Sequence, residues 1–224
     1  MIKVLCVISG GMDSATLLYK GLAMWGQGVE ALSFNYGQRH KIELEYASAL
    51  CKGLRVRHDT IDISSITPFI GGSSLTDDIP VPEGHYTSDT MAITVVPNRN
   101  AIMLSIAYGV AVARGAQLVG AGMHSGDHAI YPDCRPAFVE AFQSMQAIAV
   151  EGHGNPDLRL WTPFINQSKA DIVKQGALLG VNYGMTWSCY NGQGHHCGKC
   201  GTCYERREAF ELAGIKDPTE YEHS

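Results

Sequence analysis

Four cysteines crowd one short segment, "CYNGQGHHCGKCGTC", at Cys189, Cys197, Cys200 and Cys203, with the spacing C-x7-C-x2-C-x2-C. Four thiolates can close a tetrahedral shell around one ion, and Gly198 and Gly201 permit the tight turns that bring neighbouring sulfurs together. Structural zinc is the first reading, an iron–sulfur cluster the second, and buried unliganded cysteines the third. His195 and His196 are alternative ligands, more simply placed in the loop or near a substrate. A closed four-thiolate shell keeps no open coordination position, so the metal shapes the protein and performs no chemistry. The chain has seven cysteines, an odd number, and Cys6, Cys51 and Cys134 lie scattered in apolar or helical contexts, which argues against a disulfide framework.

The second cluster is "SGGMDS", Ser9 to Ser14, directly after the apolar run "IKVLCVI". Beyond the carboxyl end of a parallel strand, two glycines let backbone N–H groups approach an anion at the following helix N-terminus. Ser9, Asp13 and Ser14 add hydroxyls and a carboxylate able to orient phosphate oxygens or their Mg²⁺. The spacing is neither GxGxxG nor GxxxxGK[ST], so the Rossmann and Walker readings fail. A Ser/Asp cap after a glycine turn is the plain alternative.

These residues need elements to hold them. The first third alternates strand and helix: "IKVLCVI", a helix over 14–25, "VEALSFN", a helix over "KIELEYASALCKGL", then "VRHDTIDI". Such alternation implies βαβ units and a parallel sheet. Residues 64–97, rich in Gly and Pro, read as a long surface excursion with little regular structure. A helix over "NRNAIMLSIAYGVAVARG", a strand at "AQLVGAGM", a helix over "AFVEAFQSMQAIAV" and a strand near "LRLWTP" follow. Ser168 and Asp171 resemble a capping box, opening a helix that closes at Gly180. The divisions expected are 1–187 for the α/β domain, 188–213 for a four-cysteine zinc appendage with a C-terminal helix, and 214–224 for a frayed tail.

Charged residues make up 17% of the chain and apolar residues 45%, as in a globular protein. With 17 basic against 22 acidic residues, net −5, composition gives no support to a phosphate-tracking surface for nucleic acid. The short clusters Arg39-His40-Lys41, Arg55-Arg57-His58 and Arg206-Arg207 read as solvated faces. No apolar run is long enough to span a bilayer, and the N-terminus lacks signal-peptide features, so no membrane partner and a cytoplasmic location are expected.

Strand-SGGxDS-helix resembles the PP-loop of the ATP pyrophosphatases, which implies a doubly wound α/β fold with a five-stranded parallel sheet. Over nearly the whole chain, "VISGGMDS", "FNYGQRH", "VPNRN", "GDHAIYPDCRP", "TPFINQSKADIV" and the cysteine segment resemble the 7-cyano-7-deazaguanine synthase family. The resemblance implies an ATP-dependent ligase of queuosine biosynthesis. It would convert 7-carboxy-7-deazaguanine and ammonia to the nitrile through an adenylate and an amide, with ATP, Mg and Zn as cofactors and a homodimer as the assembly. No glutaminase segment is recognisable, so free or partner-supplied ammonia is expected. The rival is another PP-loop adenylating enzyme, a tRNA thiolase or an amide synthetase.

By the same resemblance, Ser9, Gly10, Gly11, Met12, Asp13 and Ser14 bind ATP, with Asp13 and Ser14 also catalytic. Lys169 meets the developing phosphate charge; its plain alternative is an exposed lysine on the unfavourable end of a helix dipole. Gln38, Arg39, Asn98, Arg99 and Asn100 lie where substrate approaches, and Arg99 or Arg39 can fork a carboxylate or phosphate. Capping and surface charge are their alternatives, with Asn98 a good cap after Pro97. Asp127, Tyr131, Asp133 and Arg135 are assigned to the deazaguanine, with Asp133 the expected reader of the ring and His124 and His128 left as structural. Cys134 is taken as a helix-start residue.

Overall fold

The computed structural model describes residues 2–87, 91–192 and 194–222. Five parallel strands form one sheet in the order β3-β2-β1-β4-β5: β1 Val4–Val7, β2 Val29–Asn35, β3 Arg57–Asp62, β4 Leu118–Gly120 and β5 Arg159–Trp161. The main helices are α1 Met12–Trp25, α2 Ile42–Leu54, α3 Arg99–Arg114, α4 Pro136–Ala149, α5 Lys169–Leu178 and α6 Gly201–Ala213.

Both faces of the sheet are covered because successive β1 side chains point to opposite sides. Val4 and Cys6 enter a core with Leu17 and Leu18 of α1, Leu50 of α2, Ile172 and Val173 of α5, and Phe210 of α6. Leu5 faces the other core, with Leu104 and Tyr108 of α3 and Phe142 of α4. A strand buried on both faces reads as a continuous apolar run, which is why "IKVLCVI" shows no alternation. The edge strand β3, "RHDTID", is only partly buried, and Arg114 ties its Asp59 (2.8 Å) to Glu30 of β2 (2.7 Å).

The chain runs from β1 outward to β2 and β3, then returns to place β4 on the other side of β1. That reversal is a topological switch point, where the carboxyl ends of β1 and β4 diverge and leave a crevice.

Three expectations change. Helix α1 begins at Met12, two residues before Ser14, because Gly11 in an extended conformation serves as its N-cap. Among its described residues the stretch 64–97 has little regular structure beyond the 3-10 turns Ser64–Phe69 and Ala92–Thr94, yet it is not simply a surface excursion. Ser73, Ser74, Leu75 and Thr94 are fully buried, and Leu75 and Val96 form a small core with Tyr36. Residues 88–90 of that stretch lie outside the described residues. The C-terminal segment is tied down rather than frayed. Asp217 takes the Nε of the fully buried Arg206 at 3.2 Å, Tyr221 donates to Asp217 at 2.6 Å, and Glu222 N–H donates to the carbonyl of His196 at 2.8 Å.

Candidate active site

The loop after β1 is held open by its neighbours. Gly10 has φ +92°, and a Cβ there would sit 2.2 Å from the carbonyl oxygen of Glu43, so only glycine lets the first turn of α2 pack against the loop. The Gly10 carbonyl in turn accepts the Trp187 N–H at 2.9 Å. Ser14 Oγ donates to the Gly11 carbonyl (3.0 Å) and accepts the Ser9 N–H (3.2 Å), closing a compact turn above the start of α1. The first N–H groups of a helix have no partner within it, so this turn offers donors to an anion.

The loop opens into a cavity of about 270 Å³ at the carboxyl ends of β1, β2 and β4. One pole gathers charge. Lys169 Nζ lies 3.3 Å from Asp13 and donates to Glu205, and His124 Nε2 lies 3.4 Å from Asp127 and 3.8 Å from Asp13. His124 Nδ1 accepts the Gly126 N–H at 3.1 Å, which leaves the ring proton on Nε2, facing the carboxylates. Tyr86 donates to Asp127 at 2.9 Å. Burial works against the Lys169 charge, but Asp13, Glu205 and Asp127 outweigh it and hold the ammonium above its ordinary pKa. Burial pushes the Glu205 carboxyl up, with Lys169 pulling the other way. Asp13 Oδ1 is buried without a hydrogen-bond partner.

The other pole holds Arg99, Tyr36, His40, Glu43 and Tyr190. Arg99 donates to the Tyr36 hydroxyl at 3.2 Å and lies over that ring at 5.5 Å. Burial pushes Glu43 up to about 8, against the pull of a Gln38 hydrogen bond and of Arg99. His40 is held down at about 3 by burial and by Arg99.

Of the residues singled out in the sequence, Ser9, Gly11, Met12, Asp13, Ser14 and Lys169 line this cavity, as do Arg99, Asn100, Asp127 and Tyr131. Lys169 is no exposed first-turn lysine, since its side chain is 16% accessible and paired twice. Gly10 stands behind the loop as its prop. Gln38 is a clamp at the end of β2: its Oε1 accepts the Tyr36 N–H at 2.9 Å and its Nε2 reaches the Phe34 carbonyl at 3.2 Å. Arg39 turns away, donating to the Asp77 carbonyl at 2.8 Å.

Asp133 does not face the cavity. Its carboxylate accepts the Asn100 N–H at 3.2 Å, satisfying an orphan donor in the first turn of α3. It takes over the cap expected of Asn98, whose left-handed backbone (φ 57°) leaves its own side chain unused. Asp127, beyond the carboxyl end of β4, is the carboxylate of that segment on the wall. Arg135 is exposed and donates to the His128 carbonyl at 2.7 Å. Cys134 does reach the cavity wall, with its thiol pushed up by burial.

Sequence reasoning misses Glu43, Glu205, Tyr86, Tyr190 and His40. The first two carry a signal, because each sits on the buried stripe of its helix: Glu43 with Ala47, Leu50 and Cys51, and Glu205 with Ala209.

The four sulfurs of Cys189, Cys197, Cys200 and Cys203 are buried and lie within 4.8 Å of one another, with Cys200–Cys203 at 3.5 Å and Cys197–Cys203 at 4.0 Å. Thiolates at about 2.3 Å from one tetrahedral ion stand at about this separation, so the set fits a single metal. The Cys197 N–H donates to Cys189 Sγ at 3.4 Å, and the N–H groups of Lys199 and Cys200 donate to Cys197 Sγ at 3.4 and 3.3 Å, contacts that orient thiolates and spread their charge. His196 Nε2 accepts the Ser188 N–H at 3.1 Å and is thereby engaged away from the sulfurs, and His195 is exposed. Two residues beyond Cys203, Glu205 of α6 reaches the cavity and Lys169.

A five-stranded parallel α/β sheet with an SGGMDS loop at its switch point defines a protein of the PP-loop ATP-utilising class. Two solved structures share the fold. The U34-tRNA thiolase NcsA from Methanococcus maripaludis matches with a TM-score of 0.52 at 14% identity, over 99% of this chain and 74% of its own. The NMN synthetase from Francisella tularensis matches with a TM-score of 0.51 at 18% identity, over 96% of this chain and 78% of its own. At such identities the likeness is one of fold.

The family model described as "Queuosine biosynthesis protein QueC" matches residues 3–214, and the chain belongs to that family. It is 56% identical over 220 residues to the 7-cyano-7-deazaguanine synthase of Allorhizobium ampelinum, covering 98% of this chain and 92% of that protein. It is 55% identical over 218 residues to 7-cyano-7-deazaguanine synthase 1 of Mesorhizobium japonicum, covering 97% and 93%.

Proposed function

We propose that the protein is an ATP-dependent carbon–nitrogen ligase that converts 7-carboxy-7-deazaguanine and ammonia to 7-cyano-7-deazaguanine. Its family membership supports this, and the observation that carries it is the SGGMDS loop opening on a cavity where Lys169 lies 3.3 Å from Asp13. A carboxylate is a poor acyl donor until its oxygen is given a leaving group, and dehydration of the amide needs the same activation. One nucleotide loop serves both.

In this reading Ser9, Gly11, Met12 and Ser14 cradle the ATP phosphates, with Gly10 holding the loop in place. Lys169 meets the charge that develops on the departing pyrophosphate. Asp13, whose buried Oδ1 is unpartnered, suits a divalent cation. Mg²⁺ bound there would neutralise phosphate charge. Arg99 offers its fork to an anion, Asp127 accepts from ring N–H groups, and Tyr131 and Tyr86 supply aromatic wall. Asn100 lines the wall directly, while Gln38 and Asp133 support it from behind, and Arg39, Asn98 and Arg135 stand outside it. Zinc in the four-cysteine set anchors α6, and through it Glu205.

The enzyme works in the cytoplasm as a homodimer. The charge-free run of α3 between Arg99 and Arg114, beside α4 with Glu140 as its one charged residue, supports a self-association face. Sulfur transfer is disfavoured because Cys134, a cysteine on the cavity wall, is held as a neutral thiol by burial. The test is Asp13→Asn. Pyrophosphate release in the presence of ATP and substrate disappears while the metal of the four-cysteine set is retained, and full activity in the variant would remove Asp13 from the mechanism.

A further inference from the structure

The cavity contains two cations, and they are balanced differently. Lys169 is matched by Asp13 and Glu205. Among the described residues no carboxylate pairs with Arg99, whose hydrogen-bond partner is the neutral hydroxyl of Tyr36. Glu43, at the start of α2, lines the same cavity, and the Arg99 charge draws its carboxyl down against burial.

Glu43 is restrained from three sides. Gln38 Nε2 donates to Oε1 at 3.1 Å, His40 Nε2 lies 3.5 Å from Oε2, and its backbone carbonyl abuts Gly10. Gln38 is itself fixed by two backbone bonds at the end of β2, so the carboxyl cannot drift freely toward Arg99. The groups facing it are Tyr36, Gln38 and His40 from the β2–α2 connection and Arg99 from α3, while Tyr190 stacks on His40 at 5.0 Å. Tyr36 is pushed up to about 12 by burial, and His40 is held neutral. Around neutral pH, therefore, Arg99 is the one member of this group that carries charge, provided Glu43 keeps its proton.

We propose that Glu43 is a positioning residue that sets the charge of an anion seat at Arg99. As the neutral acid, held by Gln38, it leaves the guanidinium to the carboxylate of an entering heterocyclic acid; once ionised, it claims that charge and weakens the seat. This rests on the substrate reading given above. Burial that keeps Glu43 protonated to about pH 8 places the change at the alkaline end of the working range.

Binding of a carboxylate then carries a proton with it. Above about pH 8 the Kd should rise toward tenfold per pH unit, because the competent form of the seat falls by that factor. The experiment is calorimetric titration of the metal-loaded protein, with Mg²⁺ and a non-cleavable α,β-methylene ATP analogue present, from about pH 6.5 to about pH 9.5. Two ligands are compared: 7-carboxy-7-deazaguanine, and its 7-carboxamide, which shares every ring ionisation but lacks the anion.

The wild type should lose affinity for the acid above about pH 8 with the amide unchanged, and Glu43→Gln should bind the acid without that slope. Should the variant fold poorly, wild-type titrations in buffers of different ionisation enthalpy give the same answer, with proton uptake on binding the acid and none on binding the amide. Binding of the acid without slope or proton uptake, or a slope that survives in Glu43→Gln, overturns the proposal alone. Failure of both ligands to bind at any pH overturns the substrate reading, and the proposal with it.

Discussion

The neighbouring glycines of the nucleotide loop should respond oppositely to one added methyl group. At Gly10 the backbone has φ +92°, and a Cβ meets the Glu43 carbonyl oxygen at 2.2 Å and the Ala47 nitrogen at 3.0 Å. The obstacles are helix backbone, which cannot swing aside as a side chain can. A non-glycine residue in a sparsely populated region costs about 1–3 kcal/mol, and overpacking a tight site costs about 1–3 kcal/mol more. Gly10→Ala should therefore lose about 2–6 kcal/mol. Gly11 has φ −75°, and its added Cβ would find Ser9 Oγ at 3.4 Å and the Trp187 carbonyl at 3.5 Å, both ordinary contacts. Gly11→Ala should change stability by no more than about 1 kcal/mol, because a less flexible unfolded chain offsets the poorer cap that alanine gives α1. Because Gly11 faces the cavity, the same substitution should still weaken ATP binding. Urea unfolding of the metal-loaded proteins, with ATP titrations alongside, separates the two effects. Equal losses at the two positions, or a Gly10→Ala loss under about 1 kcal/mol, would refute the packing argument.

Cys200→Ser should lose the bound metal and fold stability together, since one ligand of a closed four-thiolate set is gone; metal analysis and thermal unfolding check it, and retained metal with unchanged stability would contradict it. Glu43→Gln should stabilise the protein at pH 8 but not near pH 4.5. The folded carboxyl keeps its proton to about 8 and the unfolded one to about 4.5. Between those values the wild type loses stability as pH rises, by at most about 1.4 kcal/mol per pH unit. Urea midpoints that stay parallel for the two proteins across this range would show that Glu43 ionises normally.

Much of the fold was legible in the sequence because its signals are local. Apolar runs, glycine stops and the Ser168/Asp171 box all report on the segment that carries them, and that box forms in the structure with both reciprocal bonds. What was not legible depends on distant partners. Asp133 and Asp127 share one polar segment, and nothing in it tells which carboxylate caps α3 and which faces the cavity. The Asn100 N–H that claims Asp133 lies 33 positions away. Gln38 reads as a ligand-facing polar residue and is instead fastened to the backbone of its own turn. Glu43 and Glu205 are hidden for the opposite reason, as charged residues on helix faces that burial assigns to the core until a cavity interrupts it. The order along the 64–97 stretch comes from packing of Leu75 and Val96 on Tyr36, which no local periodicity announces.

The most direct measurement is to incubate the metal-loaded protein with ATP, Mg²⁺, ammonium and 7-carboxy-7-deazaguanine and follow the base by mass spectrometry together with AMP and pyrophosphate. The nitrile should accumulate with AMP and pyrophosphate, the amide appearing only transiently. An amide that accumulates and goes no further would make the protein an amide synthetase, and absence of AMP would contradict activation by the loop at Ser9 to Ser14.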